Sequence, residues 1–151
     1  MAGYYFDEFA VGRRFAHAIR RTVTETDNLL FSALTHNPAP LHIDREYMRT
    51  QTEFGQPLMN SFFTLGLMVG IAVSGTTVGT IVANLGMTEV RFPKPLFQGD
   101  TLSATTEVLS KRLSKSRNDA GIVEFEHKGF KQTGDMVAIC KRQVMLLRKP
   151  A

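Results

Sequence analysis

The window from Phe54 to Thr88 contains no charged residue, and this feature constrains the fold of the chain more than any other. Inside it, the stretch 57–75 (PLMNSFFTLGLMVGIAVSG) is apolar on every side, whereas a helix on a protein surface carries a polar stripe. Asn60 or Ser61 can cap its first turn, and Gly75 can end it. We therefore expect a helix at the centre of the fold, enclosed by the rest of the chain.

This helix is expected to lie inside a protein core rather than in a membrane. A helix that crosses the hydrocarbon core needs about 20 predominantly apolar residues, but this one begins with Asn60 and Ser61 and stops at residues 74–75, a Ser-Gly pair. Gly66 and Gly70 lie one turn apart on one face, where the missing side chains allow another backbone to approach closely. Close packing of the helix on a sheet accounts for both glycines.

The rest of the chain has the pattern of antiparallel strands. Four segments are rich in Val, Ile, Thr and Phe, and turn residues separate them: 78–92, 101–113, 121–133 and 136–147. An earlier segment, 13–24, predicts a first strand. We predict an α+β protein, a single hot-dog fold over residues 1–151, in which the antiparallel sheet wraps around the buried helix. The alternative, a two-layer α+β sandwich, would leave one face of that helix exposed.

Two short helices are predicted between the first strand and the buried helix. Thr24 or Thr26 can cap the first one, which has acidic residues in its first turn and ends before Pro38. The segment 36–44 then forms a loop, and Asp44 caps a second helix over 45–51. The loop therefore leads towards the start of the buried helix.

The composition of the chain indicates the cellular compartment and the binding partners to expect. A single cysteine, Cys140, excludes an internal disulfide and lies in an apolar strand, so we predict a buried structural thiol. The N-terminal residues have no leader pattern, and a cytoplasmic protein is expected. The net charge of +4 suits a polyanionic ligand, and the basic cluster at 111–117 fits either an anion site or a solvated hairpin end. Nucleic-acid binding is not expected, because basic residues are not interleaved with aromatic ones.

The chemistry is predicted to lie in the loop 36–44 and at the start of the buried helix. His42 follows two prolines, and a histidine is the natural proton carrier near neutral pH, although a loop histidine alone is more often structural. The free backbone N–H groups near Asn60 and Ser61, at the positive end of the helix dipole, can stabilise an oxyanion. A proton donor beside an oxyanion site is what the addition of water to an α,β-unsaturated thioester requires.

The sequence resembles the MaoC-like (R)-specific enoyl-CoA hydratases and dehydratases of the hot-dog superfamily. The resemblance covers nearly the whole chain and rests chiefly on residues 35–44 (THNPAPLHID), 54–57 (FGQP) and 91–102 (RFPKPLFQGDTL). The family's hydratase motif is Gly-Asp-x-Asn-Pro-x-His, followed after one residue by Asp. Aligned with it, His42 keeps the catalytic histidine and Asn37 stands where the family has its catalytic aspartate. The resemblance also implies that the backbone N–H of Ser61 is the oxyanion donor.

Asn37 leaves the mechanism open, because an amide can orient a water molecule but cannot act as a base at neutral pH. His42 can carry both proton transfers with Asn37 holding the water, His36 can contribute a second imidazole, or the activity has been lost. We favour the first, because the loop resembles a branch associated with itaconyl-CoA and mesaconyl-CoA hydratases. The extra carboxylate of such substrates needs a polar or cationic partner, and the candidate substrate-binding residues are His36, Asn60, Arg91 and Lys94.

Three candidate functions are weighed against these sequence features. The first is a hydro-lyase that hydrates an enoyl-CoA or dehydrates a 3-hydroxyacyl-CoA, with no cofactor other than the CoA of its substrate and no metal. The second is an acyl-CoA thioesterase, which needs a carboxylate base near the buried helix, whereas Asp44 and Glu53 lie outside it. The third is a non-catalytic acyl-CoA-binding domain. For each of them the resemblance implies a homodimer at least, with the site near its interface, and we expect no membrane partner.

Overall fold

An antiparallel sheet forms the larger part of the fold in the computed structural model, which describes residues 3–150. Its strand order is β1-β4-β5-β6-β3, and β2 pairs with β4 beside β1. One long helix, α4, packs on the sheet, and this is the predicted hot-dog arrangement. The strands are β1 (Arg14–Ala16), β2 (Arg21–Thr22), β3 (Ile81–Arg91), β4 (Thr101–Leu113), β5 (Ala120–Phe130) and β6 (Met136–Leu147), and the helices are α1 (Glu25–Leu34), α2 (Pro40–Ile43), α3 (Arg45–Gln51) and α4 (Ser61–Thr76).

The long strands lie close to their predicted positions. β4, β6 and α3 have the predicted bounds. β3 begins three residues later than expected, because the chain first turns, with the N–H of Thr80 donating to the carbonyl oxygen of Thr77 at 3.2 Å. β5 ends before the predicted Thr133, because residues 131–135 close the hairpin and Gly134 adopts a positive φ of 86°. A glycine takes this conformation without strain.

The first strand is not continuous, in contrast to the prediction over 13–24. Ala16 pairs with Thr105, and Arg21 pairs with Leu102. The chain therefore advances five residues where β4 advances three, and the two surplus residues loop out between β1 and β2. Such an insertion interrupts the hydrogen-bond ladder in the way a β-bulge does.

Helix α4 is enclosed on one side only, so the prediction of a fully enclosed helix is wrong for the isolated chain. Thr64, Met68, Ile71, Ala72 and Thr76 are buried. On the opposite side Phe62 is 72% exposed. Gly66 and Gly70 are also exposed, and a Cβ on either would meet nothing within 4 Å. The sheet covers a single face of the helix, and nothing in residues 3–150 covers the other. No helix among these residues is long and apolar enough to cross a membrane.

Two polar side chains lie buried between the hydrophobic clusters of the sheet. Thr106 Oγ1 lies 2.8 Å from both His17 Nε2 and His127 Nδ1. His127 is fully buried, and its Nε2 has no hydrogen-bond partner in the described part of the chain. Burial, together with the positive charges of Arg142 and His17, lowers the pKa of His127 to about 3. The imidazole is therefore neutral in the folded protein.

Cys140 is fully buried, and burial raises the pKa of its thiol to about 11. This confirms the prediction of a buried structural thiol.

Two cations of the basic cluster at 111–117 have partners within the chain. Lys111 donates to the carbonyl oxygens of Phe6 and Phe9, and Arg117 forms an ion pair with Asp119. Two of its four cations therefore already have partners.

Candidate active site

His42 lies in the short helix α2 and not in a loop as predicted. Pro40 occupies the first helical position. Its fixed φ suits that position, and its missing N–H would have had no helical partner there. One turn of helix is too short to show a periodic pattern in the sequence. It nevertheless gives the half-buried His42 a defined orientation.

The imidazole of His42 is oriented by the segment that leads into α4. Its Nδ1 lies 2.9 Å from the carbonyl oxygen of Leu58. Because a carbonyl oxygen only accepts, Nδ1 carries the proton of the neutral ring. The lone pair of Nε2 is then free to accept a proton from a substrate or a water molecule. Leu58 lies three residues before Ser61, so the imidazole is tied to the segment that begins α4.

In the first turn of α4 the backbone N–H groups of Ser61 and Phe63 have no acceptor among residues 3–150. Asn60 is the N-cap, and its Oδ1 accepts the N–H of Phe62 at 3.0 Å. The carbonyl oxygen of Asn60 accepts the N–H of Thr64 at 3.0 Å. Within residues 3–150 the N–H of Ser61 has no acceptor, and Ser61 is exposed. This N–H lies at the positive end of the helix dipole, which favours an oxyanion. Asn60 itself is 2% exposed and is occupied in capping.

A buried asparagine that was not predicted from the sequence connects His42 to the segment that starts α4. Asn28 of α1 is 3% exposed and bonds to the backbone of His42, Leu58 and Asn60. A polar residue in a predicted amphipathic helix ordinarily faces solvent, so nothing in the local pattern singles it out. The acidic first turn around it predicts only the helix.

His36 and Asn37 lie together at the edge of an open cavity of about 410 Å³. His36 is exposed and has a positive φ of 53°. The Oδ1 of Asn37 accepts the N–H of Ala39 at 3.1 Å, so the amide group is held while its Nδ2 makes no bond within residues 3–150. The cavity is otherwise lined mainly by apolar side chains of α1, of α2 and of the segment between them: Leu29, Ala33, Pro38 and Ile43.

Ser61 and Lys94 lie at a second cavity of about 320 Å³, which Leu58 also lines. The ammonium group of Lys94 pairs with Asp135 at 2.7 Å. Arg91 is exposed at the end of β3 and lines neither cavity. The structure therefore brings His36 together with Asn37, and Ser61 together with Lys94. Neither Arg91 nor His42 lines either cavity, and Asn37 and Ser61 line different cavities.

The carboxylates near the site have other roles. Oδ1 of Asp44 accepts the N–H of Tyr47 at 2.9 Å and caps α3. Glu53 is exposed, and α4 contains no acidic residue. A general-base carboxylate of the kind a thioesterase needs is thus missing from this helix. Among the described residues, no group of three or more His, Cys, Asp or Glu side chains lies together to hold a metal ion.

Comparison with known proteins identifies related sequences. The family described as MaoC like domain matches residues 8–130. The mesaconyl-CoA hydratase of Cereibacter sphaeroides is 31% identical over 148 residues, which are 98% of this chain and 42% of that protein. The chain thus spans about two fifths of the length of that curated relative, and the next three relatives give similar shares.

Solved structures give the same result for the fold. The MaoC-like dehydratase of Rhodospirillum rubrum is 29% identical, with a TM-score of 0.83 over 99% of this chain and 100% of that chain. A protein of Mycobacterium tuberculosis described as having a double hot-dog fold is 24% identical, with a TM-score of 0.87 over 98% of this chain and 45% of that chain. The second likeness concerns the fold alone.

Proposed function

The chain belongs to the MaoC-like domain family, and from this premise we propose that it adds water reversibly to an enoyl-CoA thioester. In the reverse direction it dehydrates a 3-hydroxyacyl-CoA. The observation that carries the proposal is the bond from His42 Nδ1 to the carbonyl oxygen of Leu58, since it ties a proton carrier to the segment that starts α4. The relatives named mesaconyl-CoA hydratase support hydration of a CoA thioester as the class of reaction.

In the proposed reaction the thioester carbonyl oxygen accepts a hydrogen bond from the N–H of Ser61. This polarises the conjugated system and stabilises the enolate that forms when water attacks the β-carbon. Nε2 of His42 takes one proton from the attacking water, and the hydroxyl group remains on the β-carbon. The imidazolium then delivers its proton to the α-carbon as the enolate collapses. The net change is the addition of one water molecule across the double bond.

Asn37 holds the water in this scheme. Its Oδ1 is fixed by the N–H of Ala39, so its Nδ2 is the group left to donate to the oxygen of the water. This role needs orientation and not basicity, which explains how an amide can stand where the family has an aspartate. His36 lies beside it at the same cavity and contributes a further polar contact.

For the acyl group we propose a short branched dicarboxylic chain of the mesaconyl or itaconyl type. The relatives' names support this choice, and so does Lys94, which shares a cavity with Ser61. A substrate carboxylate would replace Asp135 as the partner of that ammonium group. Arg91 lines neither cavity, although its neighbour Phe92 lines the one that holds Ser61 and Lys94, and we propose no contact of Arg91 with substrate within one chain.

We further propose that the protein acts as a homodimer. Among residues 3–150 the outer edge of β3 has no partner strand, and this strand exposes Leu85 to 45%. Helix α4 exposes a stripe formed by Phe62, Gly66 and Gly70. A second copy that pairs with this edge covers both surfaces. An exposed strand edge flanked by apolar surface is a template for such pairing.

The sharpest test of the proposed reaction is the substitution Ser61→Pro. Ser61 is the first residue of α4, where proline is well tolerated, and Asn60 already has the extended φ and ψ of −58° and 131° that precede a proline. The variant should therefore fold while lacking the N–H. We expect kcat on the best of crotonyl-, mesaconyl- and itaconyl-CoA to fall about 100- to 1,000-fold.

Ser61→Ala, which keeps the N–H, is the matched control and should retain activity near that of the parent. His42→Ala should lose about 100-fold or more. The absorbance of the conjugated thioester reports turnover. Equal rates for Ser61→Pro and Ser61→Ala would contradict the proposed oxyanion donor.

A second candidate function is acyl-CoA binding without turnover, and the observation that favours it is Asn37 in place of the family aspartate. It predicts that the parent protein binds mesaconyl-CoA in calorimetry but never hydrates it. Asn37→Asp distinguishes the two functions, because it should create activity in a binding domain and only change the rate of an enzyme. Release of free CoA would instead indicate a thioesterase.

A further inference from the structure

The amide of Asn28 makes three hydrogen bonds to backbone groups outside its own helix. Its Nδ2 donates to the carbonyl oxygen of His42 at 2.7 Å and to that of Leu58 at 2.9 Å. Its Oδ1 accepts the N–H of Asn60 at 2.8 Å. Both donors of the amide are used, and the chemistry of the partners leaves only one orientation of the group, because two partners are acceptors and one is a donor.

The three partners belong to the two halves of the proposed active site. His42 carries the imidazole, and the carbonyl oxygen of Leu58 accepts both Asn28 Nδ2 and the imidazole Nδ1. Asn60 caps α4 and directly precedes Ser61. One side chain thus holds the backbone of the proton carrier and the backbone that leads to the oxyanion donor.

We propose that Asn28 is a positioning residue, which fixes the distance between the imidazole of His42 and the N–H of Ser61. This inference rests on the proposed hydratase function and extends it to a residue outside the sequence motif. Asn28 does not touch the reacting atoms. It acts by holding the imidazole of His42 and the N–H of Ser61 at positions from which both can contact one thioester.

Asparagine is the side chain whose donors and acceptor match these partners. Aspartate has nearly the same shape, but it has no donor when ionised and would place an oxygen against the carbonyl oxygens of His42 and Leu58. Alanine leaves the carbonyl oxygen of His42 and the N–H of Asn60 without their partner, whereas the carbonyl oxygen of Leu58 keeps the imidazole of His42, and the two lost partners cost stability as well. A role in packing alone predicts that the isosteric Asn28→Asp is milder than Asn28→Ala. A positioning role predicts the opposite order for kcat, because the carboxylate pushes the two carbonyl groups apart.

The kinetic test compares the parent with Asn28→Ala and Asn28→Asp on the best thioester substrate. We expect kcat to fall about 10- to 100-fold, as displacement of a reacting group by about 1 Å does. KM should change less than about threefold, because Asn28 is buried and makes no contact with substrate. Asn28→Asp should be at least as slow as Asn28→Ala.

The matched control is Thr76→Ala, which removes a different buried hydrogen bond. Thr76 is 1% exposed, and its hydroxyl donates to the carbonyl oxygen of Ala72 at 2.6 Å. It lies at the other end of α4, about 22 Å from Ser61 at the rise of a helix. This variant should lose stability but keep kcat. An equal loss of kcat in Thr76→Ala would mean that general destabilisation explains the effect, and it would overturn the proposal.

A spectroscopic test separates this inference from the proposed reaction. The chain has four histidines, so the ring ¹⁵N signals of His42 can be assigned by comparison with His42→Ala. In the parent they should report the tautomer with the proton on Nδ1, and in both Asn28 variants a mixture of tautomers. If the parent hydrates no thioester, the proposed function fails, while this comparison still decides whether Asn28 orients His42. Unchanged ring signals, or variants at Asn28 that all fail to fold, would show a purely structural residue.

Discussion

Replacing the buried His127 should make the protein less sensitive to mild acid. Its pKa is about 3 in the folded protein, whereas the ordinary value is 6.5. The unfolded chain therefore binds the proton more tightly, and stability is lost as pH falls from about 6.5 towards 3. The slope approaches about 1.4 kcal/mol per pH unit, so the free energy of unfolding should drop by about 2 kcal/mol between pH 7 and pH 5 through this group. The pKa of His17 is also lowered by burial and acts in the same direction.

The informative variant is His127→Asn, since an amide can still serve as the partner of Thr106 but does not titrate. Urea unfolding at pH 7, 6 and 5, at one protein concentration, gives the free energy of unfolding at each pH. The variant should be less stable at pH 7, because it leaves a cavity, but its loss between pH 7 and 5 should shrink by about 2 kcal/mol. His36→Asn changes an exposed histidine and serves as the control, which should keep the parental slope. If the free energy of unfolding of His127→Asn falls between pH 7 and pH 5 as much as that of the parent, the reasoning is refuted.

Three other substitutions test packing and assembly. Met68→Ala should cost about 2–5 kcal/mol in urea unfolding, because Met68 is fully buried in the main cluster, and a loss below 1 kcal/mol would contradict its place in the core. Gly121→Ala should lower the melting temperature, since a Cβ there would overlap the Phe6 ring, and an unchanged temperature would show that this ring moves freely. Leu85→Asp should shift the protein from dimer to monomer in light scattering, whereas Leu113→Asp, which is 57% exposed at the end of β4, should not. Dimers in both variants would exclude the edge of β3.

The parts of the fold that follow from local pattern were predictable. β4 shows an alternating burial pattern over its first nine residues, and residues of this kind with turn signals at both ends predict the strand and its bounds. Asp44 caps α3 as predicted, because capping needs only neighbouring residues. The two surplus residues between β1 and β2 were not predictable, because they are defined by the register against β4, which lies about 80 residues further along the chain.

Helix α4 shows a different limit of prediction. An uncharged helix must be covered on all sides, but composition does not say whether the cover comes from the same chain. The sheet of this chain covers one face, and the face with Gly66 and Gly70 is left open. In the proposed dimer the second copy would cover this exposed apolar face, together with the free edge of β3, so the uncharged helix would be covered on all sides.

The candidate site depends on bonds between distant positions, which explains why its motif could be found and its geometry could not. His42 and Asn37 are recognisable because they stand five residues apart in one short segment. The bonds that orient His42 and the start of α4 cross 14 to 32 residues, and most of them come from Asn28, which has no special place in its own helix. Short-range patterns determine where α1 and α4 begin. Only the folded chain shows that a single amide in α1 bonds to the backbone of α2 and to the residues that lead into α4, and the order of the Asn28→Asp and Asn28→Ala rates will measure how much of the chemistry depends on it.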